Sequence, residues 1–409
     1  GDIYIDSIGG TAIGLIDTYD GANYGLVTLD STAALTEATV DGALDVRGST
    51  VSLTAATGGI GAAAANAGID VTANSALNAD TTGDASSIYI DSIGALPVGL
   101  IQADGGSGGD VVVTSSAGIS DAGAGFIAAD LNATAAGNME LDTEVDTVTA
   151  ETTAAGLLTI TEADGITLTS VIAADGPVSV AAAGTVVATS VVSTTDDNTN
   201  GVTISTSNGN IEVGTIDAGA TAGDVQLTAN ANPGQSIVDA TSSITADDLQ
   251  ISVQGAVGAA GTPIAIDVVT VTAASTDAGG IYLSETDGIT LTSVTAADGP
   301  VSVTAGFMTA TLVTAADAGG DEAHDVTLQT TTGDMALGAI TADNIADITS
   351  SGVITDDNAG AVNLTASELV IAAGGDIGTI TTFSNGPAGA DGDAIEFSAA
   401  TITSVAAIG

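Results

Sequence analysis

The sequence contains no cysteine, no tryptophan and no lysine, and its only basic side chains are those of Arg47 and His324. The absence of cysteine excludes disulfides and thiolate metal sites. A secreted protein can lack disulfides when hydrogen-bonded backbone ladders stabilise it, so this absence fixes no cellular compartment. The absence of lysine also excludes the Lys–Asn isopeptide crosslinks that stabilise some surface fibres.

Aromatic residues make up 2% of the chain, although 44% of it is hydrophobic. The side chains available for a core are therefore those of Val, Ile, Leu and Ala. They favour a thin, layered core over a wide globular one. No apolar run reaches the roughly 18–20 residues of a transmembrane helix, so we expect no membrane span.

The charge balance is extreme, because 51 carboxylates face a single Lys or Arg side chain and the net charge is −50. Such a charge excludes nucleic acid and anionic lipid as direct partners unless cations bridge the contact. Two Asp side chains stacked about 4.8 Å apart would repel by roughly 0.9 kcal/mol in water. We therefore expect salt, divalent cations or outward solvation to relieve this repulsion.

One long phrase occurs twice: Asp164–Val180 and Asp287–Val303 differ only at Ile172 against Thr295. Self-similarity of this kind marks a repeat architecture, in which each unit buries its apolar face against its neighbours. We therefore predict one continuous repetitive solenoid over residues 1–409. Its imperfect repeats begin near residues 3, 88, 158, 281 and 395.

Short runs such as Ile166–Val171 and Val326–Gln329 alternate apolar and small polar residues. This period of two predicts strands with one face inside and one outside. The Ala-rich tract Gly58–Asn78 has glycines that disfavour a helix, so we expect a loop or loosely packed coils there. Asp-Gly and Asn-Gly dipeptides favour tight turns with positive φ between the strands. They are Asp20-Gly21, Asp41-Gly42, Asp104-Gly105, Asp164-Gly165, Asp175-Gly176, Asn208-Gly209, Asp287-Gly288, Asp298-Gly299 and Asn385-Gly386.

Two all-β architectures fit these strands. One is a right-handed parallel β-solenoid (a β-helix) with about 20 residues per coil, and the other is a series of tandem β-sandwich domains of about 100 residues each. Short strands, irregular repeat spacing and the lack of Pro/Ser-rich linkers favour the solenoid, because a solenoid can gain or lose whole coils. The hexapeptide pattern of left-handed helices is absent, so we prefer the right-handed form.

The phrase GITLTSVTAADGPVSVTA at Gly288–Ala305 and the segment Val145–Gly165 resemble coils of very large repetitive bacterial exoproteins. These are the filamentous-haemagglutinin-like and autotransporter-like β-helix proteins. The tract Gly258–Ala273 is similar to a recurring junction in such repeats, and Gly137–Ala150 resembles it loosely. The resemblance covers most of Ile88–Ala373. The N-terminal secretion domain of two-partner-secreted exoproteins is not recognisable in the sequence.

The resemblance implies secretion, surface display, and a role in adhesion, matrix or filament formation. We therefore expect an extracellular structural protein of the bacterial cell surface that forms a rigid stalk, surface fibre or matrix filament. Gly1 is preceded by no initiator Met or signal peptide, so we expect an excerpt of a longer chain or a fibre protomer whose coils stack head-to-tail. The alternative is an adhesin shaft with a face for a receptor or for a cell-surface or matrix polysaccharide.

An enzymatic role ranks third, as a β-helix protein that acts on polysaccharides. A lyase of that type needs a basic residue as proton acceptor, and Arg47 and His324 are the only candidates. We expect His324 to lie solvated in a polar loop and Arg47 to pair locally with a carboxylate. Catalytic triads, P-loops and HExxH are absent, so we predict no catalytic residues, no cofactor-binding residues and no enzyme activity.

Calcium is the candidate cofactor, because hard cations require six to eight oxygen ligands and three loops are rich in carboxylates and amides. None of these loops matches the EF-hand pattern or the nonapeptide of calcium β-rolls. Asp and Asn also occur in loops because they form turns, and diffuse screening by cations would serve as well. The candidate ligands are Asp196, Asp197, Asn198, Asp317, Asp321, Asp325, Asp391, Asp393 and Glu396.

Overall fold

The computed structural model of the protein describes residues 1–81, 86–103, 108–318, 324–359, 361–378 and 395–407. These residues form strands and turns and contain no helix, hence none with the length and apolarity needed to cross a membrane. The chain divides into two compact units, unit 1 (Gly1–Thr195) and unit 2 (Asp196–Gly409). The prediction of one continuous solenoid over 1–409 stays a prediction, and each unit is described by itself.

Unit 1 contains the first sixteen strands of the described residues. They are β1 (Ile3–Ser7), β2 (Thr11–Ile13), β3 (Ile16–Asp17), β4 (Val27–Ser31), β5 (Leu35–Glu37), β6 (Val46–Ala55), β7 (Ile69–Thr81), β8 (Ile88–Ser92), β9 (Leu96–Ala103), β10 (Val111–Ser115), β11 (Ile119–Ala135), β12 (Met139–Ala155), β13 (Leu158–Glu162), β14 (Ile166–Asp175), β15 (Val178–Ala182) and β16 (Val186–Ser193).

Unit 2 contains the remaining strands of the described residues. They are β17 (Val202–Thr206), β18 (Ile211–Asp217), β19 (Val225–Ala229), β20 (Ile237–Val253), β21 (Ile264–Ala278), β22 (Ile281–Glu285), β23 (Gly288–Asp298), β24 (Val301–Ala305), β25 (Phe307–Ala315), β26 (Val326–Thr330), β27 (Met335–Ala342), β28 (Ile345–Ser350), β29 (Ile354–Asp356), β30 (Leu364–Ala373) and β31 (Phe397–Ala407).

The strand pairings within each unit are parallel, and each strand pairs with the equivalent strand of the next coil. Successive coils lie about 23 residues apart, slightly more than the predicted spacing. The antiparallel exception among the described residues is an isolated bridge between Ala259 and Thr262. Both units are therefore β-solenoids, which excludes the sandwich alternative, because sandwiches pair their strands antiparallel.

The coils bury continuous ladders of apolar side chains. In unit 1, Met139 pairs with Leu158 and Leu158 with Val178. In unit 2, Val303 pairs with Leu328 and Leu328 with Ile348, and each of these ladder residues is at most 1% exposed. The predicted thin core of aliphatic layers is confirmed.

Some strands are longer than the short strands predicted from the sequence. β11, β12 and β20 each run for 17 residues, because a strand can pass through a coil corner where a register irregularity absorbs the bend. The corners in β12 and β20 have no Gly or Pro signal in the sequence, whereas the corner in β11 contains Gly125, whose φ is 73°. Those in β12 and β20 could not be separated from straight strand by alternation alone.

The predicted positive-φ turns occur at some of the Asp-Gly dipeptides and not at others. Gly21 and Gly42 have φ of 96° and 68°, and Asp20 accepts hydrogen bonds from the backbone N–H groups of Ala22 and Asn23. Gly288 instead begins strand β23, so the turn prediction is wrong there. Two of the dipeptides, 104–105 and 385–386, lie outside the described residues.

The Ala-rich tract is only partly a loop. Residues 58–68 form turns, but β7 begins at Ile69, and Ile69, Val71 and Leu77 are fully buried. The expectation of a loop or loosely packed coils up to Asn78 is therefore wrong for the second half of the tract. Burial against the neighbouring coils outweighs the low strand propensity of Ala and Asn.

The duplicated phrase takes the same place in both units. It spans β14 and β15 in unit 1 and β23 and β24 in unit 2, with matching alternation of buried and exposed positions. The one differing pair, Ile172 and Thr295, is half-buried and lies on the outward-facing positions of its strands. The inward residues are identical because they fit a packed ladder, while an outward position tolerates exchange.

Neighbouring residues of β14 should respond very differently to truncation. Leu168 is fully buried and Thr169 is exposed. We expect Leu168→Ala to lower the free energy of unfolding by about 2–5 kcal/mol, and Thr169→Ala to change it by no more than about 0.5 kcal/mol. Urea unfolding followed by circular dichroism measures both variants. Equal losses would contradict the period-two assignment of this strand.

Candidate functional site

The sites that can carry chemistry are clusters of carboxylates, since the chain has almost no other ionisable side chains. Three clusters of the described residues place ligand atoms within 4.8 Å of one another. They are Glu37 with Asp45 and Asp70, Asp298 with Asp317 and His324, and Asp267 with Glu285 and Asp287. Asp317 is the only predicted calcium ligand among them.

The predicted ligands Asp196, Asp197 and Asn198 lie in an exposed loop. The Asp196 carboxylate accepts hydrogen bonds from Thr221 and from the backbone N–H of Gly223, and Asp197 accepts from the N–H and hydroxyl of Thr199. These bonds lower the pKa of both carboxyl groups. The two Asp side chains thus fix turns, and a calcium site in this loop stays a prediction.

The second predicted loop is divided by the structure. Asp317 lies in the cluster with Asp298 and His324, in which His324 Nε2 is 2.9 Å from Asp298 Oδ1. His324 is only 8% exposed, so the expectation of a solvated loop histidine is wrong. Asp325 instead accepts hydrogen bonds from the side-chain amide of Asn344 and from the backbone N–H of Ile345. Both donors lie on the next coil. Asp321 lies outside the described residues.

The third predicted loop is described only at Glu396, because Asp391 and Asp393 lie outside the described residues. Glu396 is 2% exposed, and its Oε2 atom has no hydrogen-bond partner. Its backbone N–H donates to Asn363 Oδ1 at 2.9 Å. This fully buried Asn363 amide also donates to the backbone carbonyl of Leu337 and to Asp356, so it joins neighbouring coils.

Arg47 pairs with a carboxylate, as predicted, but not locally. Its guanidinium donates to both carboxylate oxygens of Asp17, which is its register partner on the neighbouring strand. The guanidinium carbon also lies 5.1 Å from the centre of the Tyr19 ring. The Arg47 hydrogen bond lowers the pKa of Asp17 to about 2. The partner is one coil away, which cannot be read from local sequence.

Two buried glutamates end short strands at equivalent places in the repeat. Glu162 ends β13 and Glu285 ends β22, and they are 3% and 5% exposed. Glu162 Oε2 accepts from the Thr143 hydroxyl at 2.8 Å, and Glu285 Oε2 accepts from the backbone N–H of Val268 at 2.9 Å. Each carboxylate therefore satisfies donors at a coil corner.

Burial raises the pKa of Glu162 and of Glu285 to about 7 each, although the hydrogen bonds they accept act in the opposite direction. The nearby carboxylates Asp164 and Asp287 raise these values further by repulsion. The sequence offers one signal for these residues, since an inward-facing strand position carries a charged residue in both repeats. Neither glutamate was among the predicted site residues.

The cluster of Glu37, Asp45 and Asp70 was not predicted either. Glu37 ends β5, Asp45 immediately precedes β6, and Asp70 is the second residue of β7. The Asp45 backbone N–H donates to the Asp70 carbonyl at 2.9 Å, and the Asp70 N–H donates to Asp45 Oδ2 at 3.1 Å. These two bonds bring carboxylates from neighbouring coils together.

Burial is the main feature of this cluster. Asp45 and Asp70 are 6% and 4% exposed, although strand alternation places Asp70 between the inward residues Ile69 and Val71. Burial raises the pKa of Asp45 to about 6 and that of Asp70 to about 7. Repulsion adds to both shifts, from Glu37 and Asp41 at Asp45 and chiefly from Asp91 and Asp45 at Asp70. Two Leu/Ile-Asp-Val tripeptides, 44–46 and 69–71, were the available signal, since they stand one coil apart.

The coil geometry makes the chain a β-solenoid repeat protein. Its corner glutamates, its Arg47–Asp17 pair and its buried carboxylate cluster are the features from which a function can be argued. No protein-family model, curated protein or solved structure matches the chain.

Proposed function

We propose that the chain is an extracellular structural protein of the bacterial cell surface, of the filamentous-haemagglutinin-like or autotransporter-like kind. Its coils form the stiff part of a stalk, surface fibre or matrix filament. As part of the same proposal the chain is not an enzyme, and its interactions are with copies of itself rather than with nucleic acid or a membrane.

The observation that carries the proposal is the ladder of parallel strands in each unit. Every added coil continues the backbone hydrogen bonds and the apolar layers of the coil before it, so stability grows with the number of coils. The outward positions carry Thr, Ser and Asp, and the net charge of −50 keeps such a surface hydrated. These properties suit a protein whose work is mechanical.

The first coil of unit 1 supports association of copies. Strand β1 pairs with β4, and large apolar side chains lie exposed on and beside it. Tyr4 is 68% exposed, Ile8 97% and Leu15 68%. Large apolar side chains exposed close together mark a surface for contact with another chain. In the proposal a coil of a second copy covers it, which gives head-to-tail assembly.

We expect replacing Ile8 and Leu15 together by Asp to weaken self-association by at least about tenfold, because charge at an apolar contact opposes burial. Both side chains are exposed, so the fold of unit 1 should survive. Sedimentation velocity over a range of protein concentrations, with negative-stain imaging of the same samples, measures the change.

Val269→Asp is the matched control, since Val269 is 49% exposed in unit 2. It should assemble like the unmodified chain. An unmodified chain that stays monomeric at every concentration, or a double variant that assembles as well as the control, would remove head-to-tail stacking from the proposal.

One observation favours the carbohydrate-binding adhesin as the second candidate. The rings of Tyr19 and Tyr24 lie 4.8 Å apart with an interplanar angle of 32°, and Arg47 covers the Tyr19 ring. Two of the few aromatic residues thus join the only guanidinium of the chain. Tyr19 is 40% exposed, so the group offers an aromatic face and hydrogen-bond donors for a sugar.

A further inference from the structure

The carboxylate cluster of Glu37, Asp45 and Asp70 has buried oxygen atoms that no donor satisfies. Asp70 is only 4% exposed, and its Oδ2 atom has no hydrogen-bond partner. The Oε2 atom of the half-buried Glu37 has no hydrogen-bond partner either. Buried polar atoms are normally paired, and an unpaired carboxylate oxygen is costly. Something other than a protein donor is expected at these oxygens.

We propose that Glu37, Asp45 and Asp70 bind one calcium ion, which joins consecutive coils of unit 1.

The spacing of the donor atoms fits one ion. The three carboxylates place one oxygen each within 4.8 Å of the others. Ca²⁺ holds oxygen ligands at about 2.4 Å, so two ligands of one ion lie at most about 4.8 Å apart. Mg²⁺ binds at about 2.0–2.1 Å and demands near-ideal octahedral geometry. Three carboxylates from separate segments suit the flexible shell of Ca²⁺ better.

Charge balance leads to the same conclusion. The chain has no lysine and only one arginine. Arg47 stands two residues after Asp45, but its guanidinium is hydrogen-bonded to Asp17. No other Lys or Arg side chain exists to compensate the cluster. A hard divalent cation is the ligand that two buried carboxylates and a half-buried one bind in place of an ammonium or guanidinium group.

The surroundings add negative charge and hold the ligands in place. Asp41 raises the pKa of both Asp45 and Asp70 by repulsion, and its backbone N–H donates to Glu37 Oε1 at 3.1 Å. Asp91, the register partner of Asp70, lies on the next coil. A carboxylate-rich surrounding of this kind attracts a cation and orients the first ligands.

Isothermal titration calorimetry with calcium tests the proposal on the full chain, first stripped with a chelator. The buffer contains about 0.15 M NaCl, which largely screens exposed charges more than about 8 Å apart. Asp70→Asn and Glu37→Gln each remove a ligand charge and keep the side-chain shape. We expect either variant to weaken the tightest Ca²⁺ site by about tenfold or more. The unmodified chain should bind Mg²⁺ at that site at least about tenfold more weakly.

Asp142→Asn is the matched control, because Asp142 is an exposed carboxylate on β12 of the same unit. It should leave the affinity unchanged within about twofold. A second measurement is the melting temperature, which calcium at about 100 times its Kd should raise by roughly 5–10 °C in the unmodified chain and not in Asp70→Asn. Glu37→Gln, on a half-buried position, serves if Asp70→Asn does not fold.

Three outcomes would overturn the proposal. The first is an unmodified chain without a Ca²⁺ site tighter than its diffuse binding. The second is equal affinity in Asp70→Asn, Glu37→Gln and Asp142→Asn. The third is Mg²⁺ binding as tight as Ca²⁺ binding, which would contradict the assignment of the ion. Self-association is measured separately, so failure here leaves the proposed structural role standing.

Discussion

A chain that lacks residues 158–177 should keep the fold of unit 1, whereas a chain that lacks only residues 158–167 should lose it. The longer deletion removes one whole coil and the shorter one removes part of a coil. The larger change in length is therefore expected to be the less damaging one.

The register of the strands explains why the longer deletion should be tolerated. Leu158 pairs with Val178, and Ile166 pairs with Val186. Joining Leu157 to Val178 therefore presents the next coil to β12 in the register of the removed one. Ala182 takes the place of Glu162 at the corner, so the hydrogen bonds of that carboxylate are lost, at a cost of about 1–3 kcal/mol.

The partial deletion has no such solution. It joins Leu157 to Leu168, so too few residues remain to complete the coil. The inward-facing residues that follow are then no longer in register with the inward-facing residues of β12. We expect a loss of more than about 5 kcal/mol, which is enough to unfold a domain of ordinary stability.

Hydrogen exchange and thermal unfolding of both deletions measure the difference, and the whole-coil deletion is itself the control for chain shortening. A cooperative transition with native-like protection should be retained by the longer deletion alone. Equal damage in the two chains would contradict the stacking register of unit 1.

The second large effect is a loss of stability as the pH rises, caused by Glu162 and Glu285. Burial places the pKa of each group at about 7 in the folded chain, against an ordinary value of 4.5. Between these values the folded state binds more protons than the unfolded state. The stabilising contribution is therefore complete below about pH 4.5 and is lost as the pH passes 7.

The expected loss is on the order of 3 kcal/mol for each glutamate, because one pKa unit corresponds to about 1.4 kcal/mol. The carboxylates that face these groups act in the same direction. Asp164 lies near Glu162, and Asp267 and Asp287 lie near Glu285. The repulsion among the remaining carboxylates of the chain adds a background slope of the same sign.

A double variant, Glu162→Gln with Glu285→Gln, separates the glutamates from that background. Its melting temperature between pH 5 and pH 8 should fall less steeply than that of the unmodified chain. The slope is the informative quantity, since Gln also weakens the corner hydrogen bonds at every pH. Glu140→Gln with Glu151→Gln, both exposed on β12, should retain the full slope. A double variant that keeps the same slope as this control would show that the two glutamates do not titrate in this range.

Much of the fold could be predicted from the sequence because its signals are local. The alternation in Ile166–Val171 places Leu168 inside, and the repeated phrase places β14 and β23 at equivalent positions of their coils. The bends within β12 and β20 could not be predicted, since a register irregularity at a corner leaves the alternation nearly intact. The strand over residues 69–78 could not be predicted, because burial against neighbouring coils stabilises it.

The candidate sites were much less predictable, because their residues meet across coils. The acidic loop at 196–198 was chosen for its composition, yet Asp196 and Asp197 accept bonds from nearby backbone and Thr groups. His324 was expected in solvent and lies buried beside Asp298. Asp45 and Asp70 align because Val46 pairs with Val71 in the next coil, and this register cannot be read from an average coil length.

Because the chain has a single arginine, its cleavage by trypsin can report on strand separation in unit 1. Trypsin requires Lys or Arg before the cleaved bond, so the chain offers it a single bond, between Arg47 and Gly48. That bond lies within β6, whose partners on either side are β3, β4 and β7. A protease needs an extended, detached segment, so the rate of tryptic cutting reports how often these strands separate, without any label or engineered site.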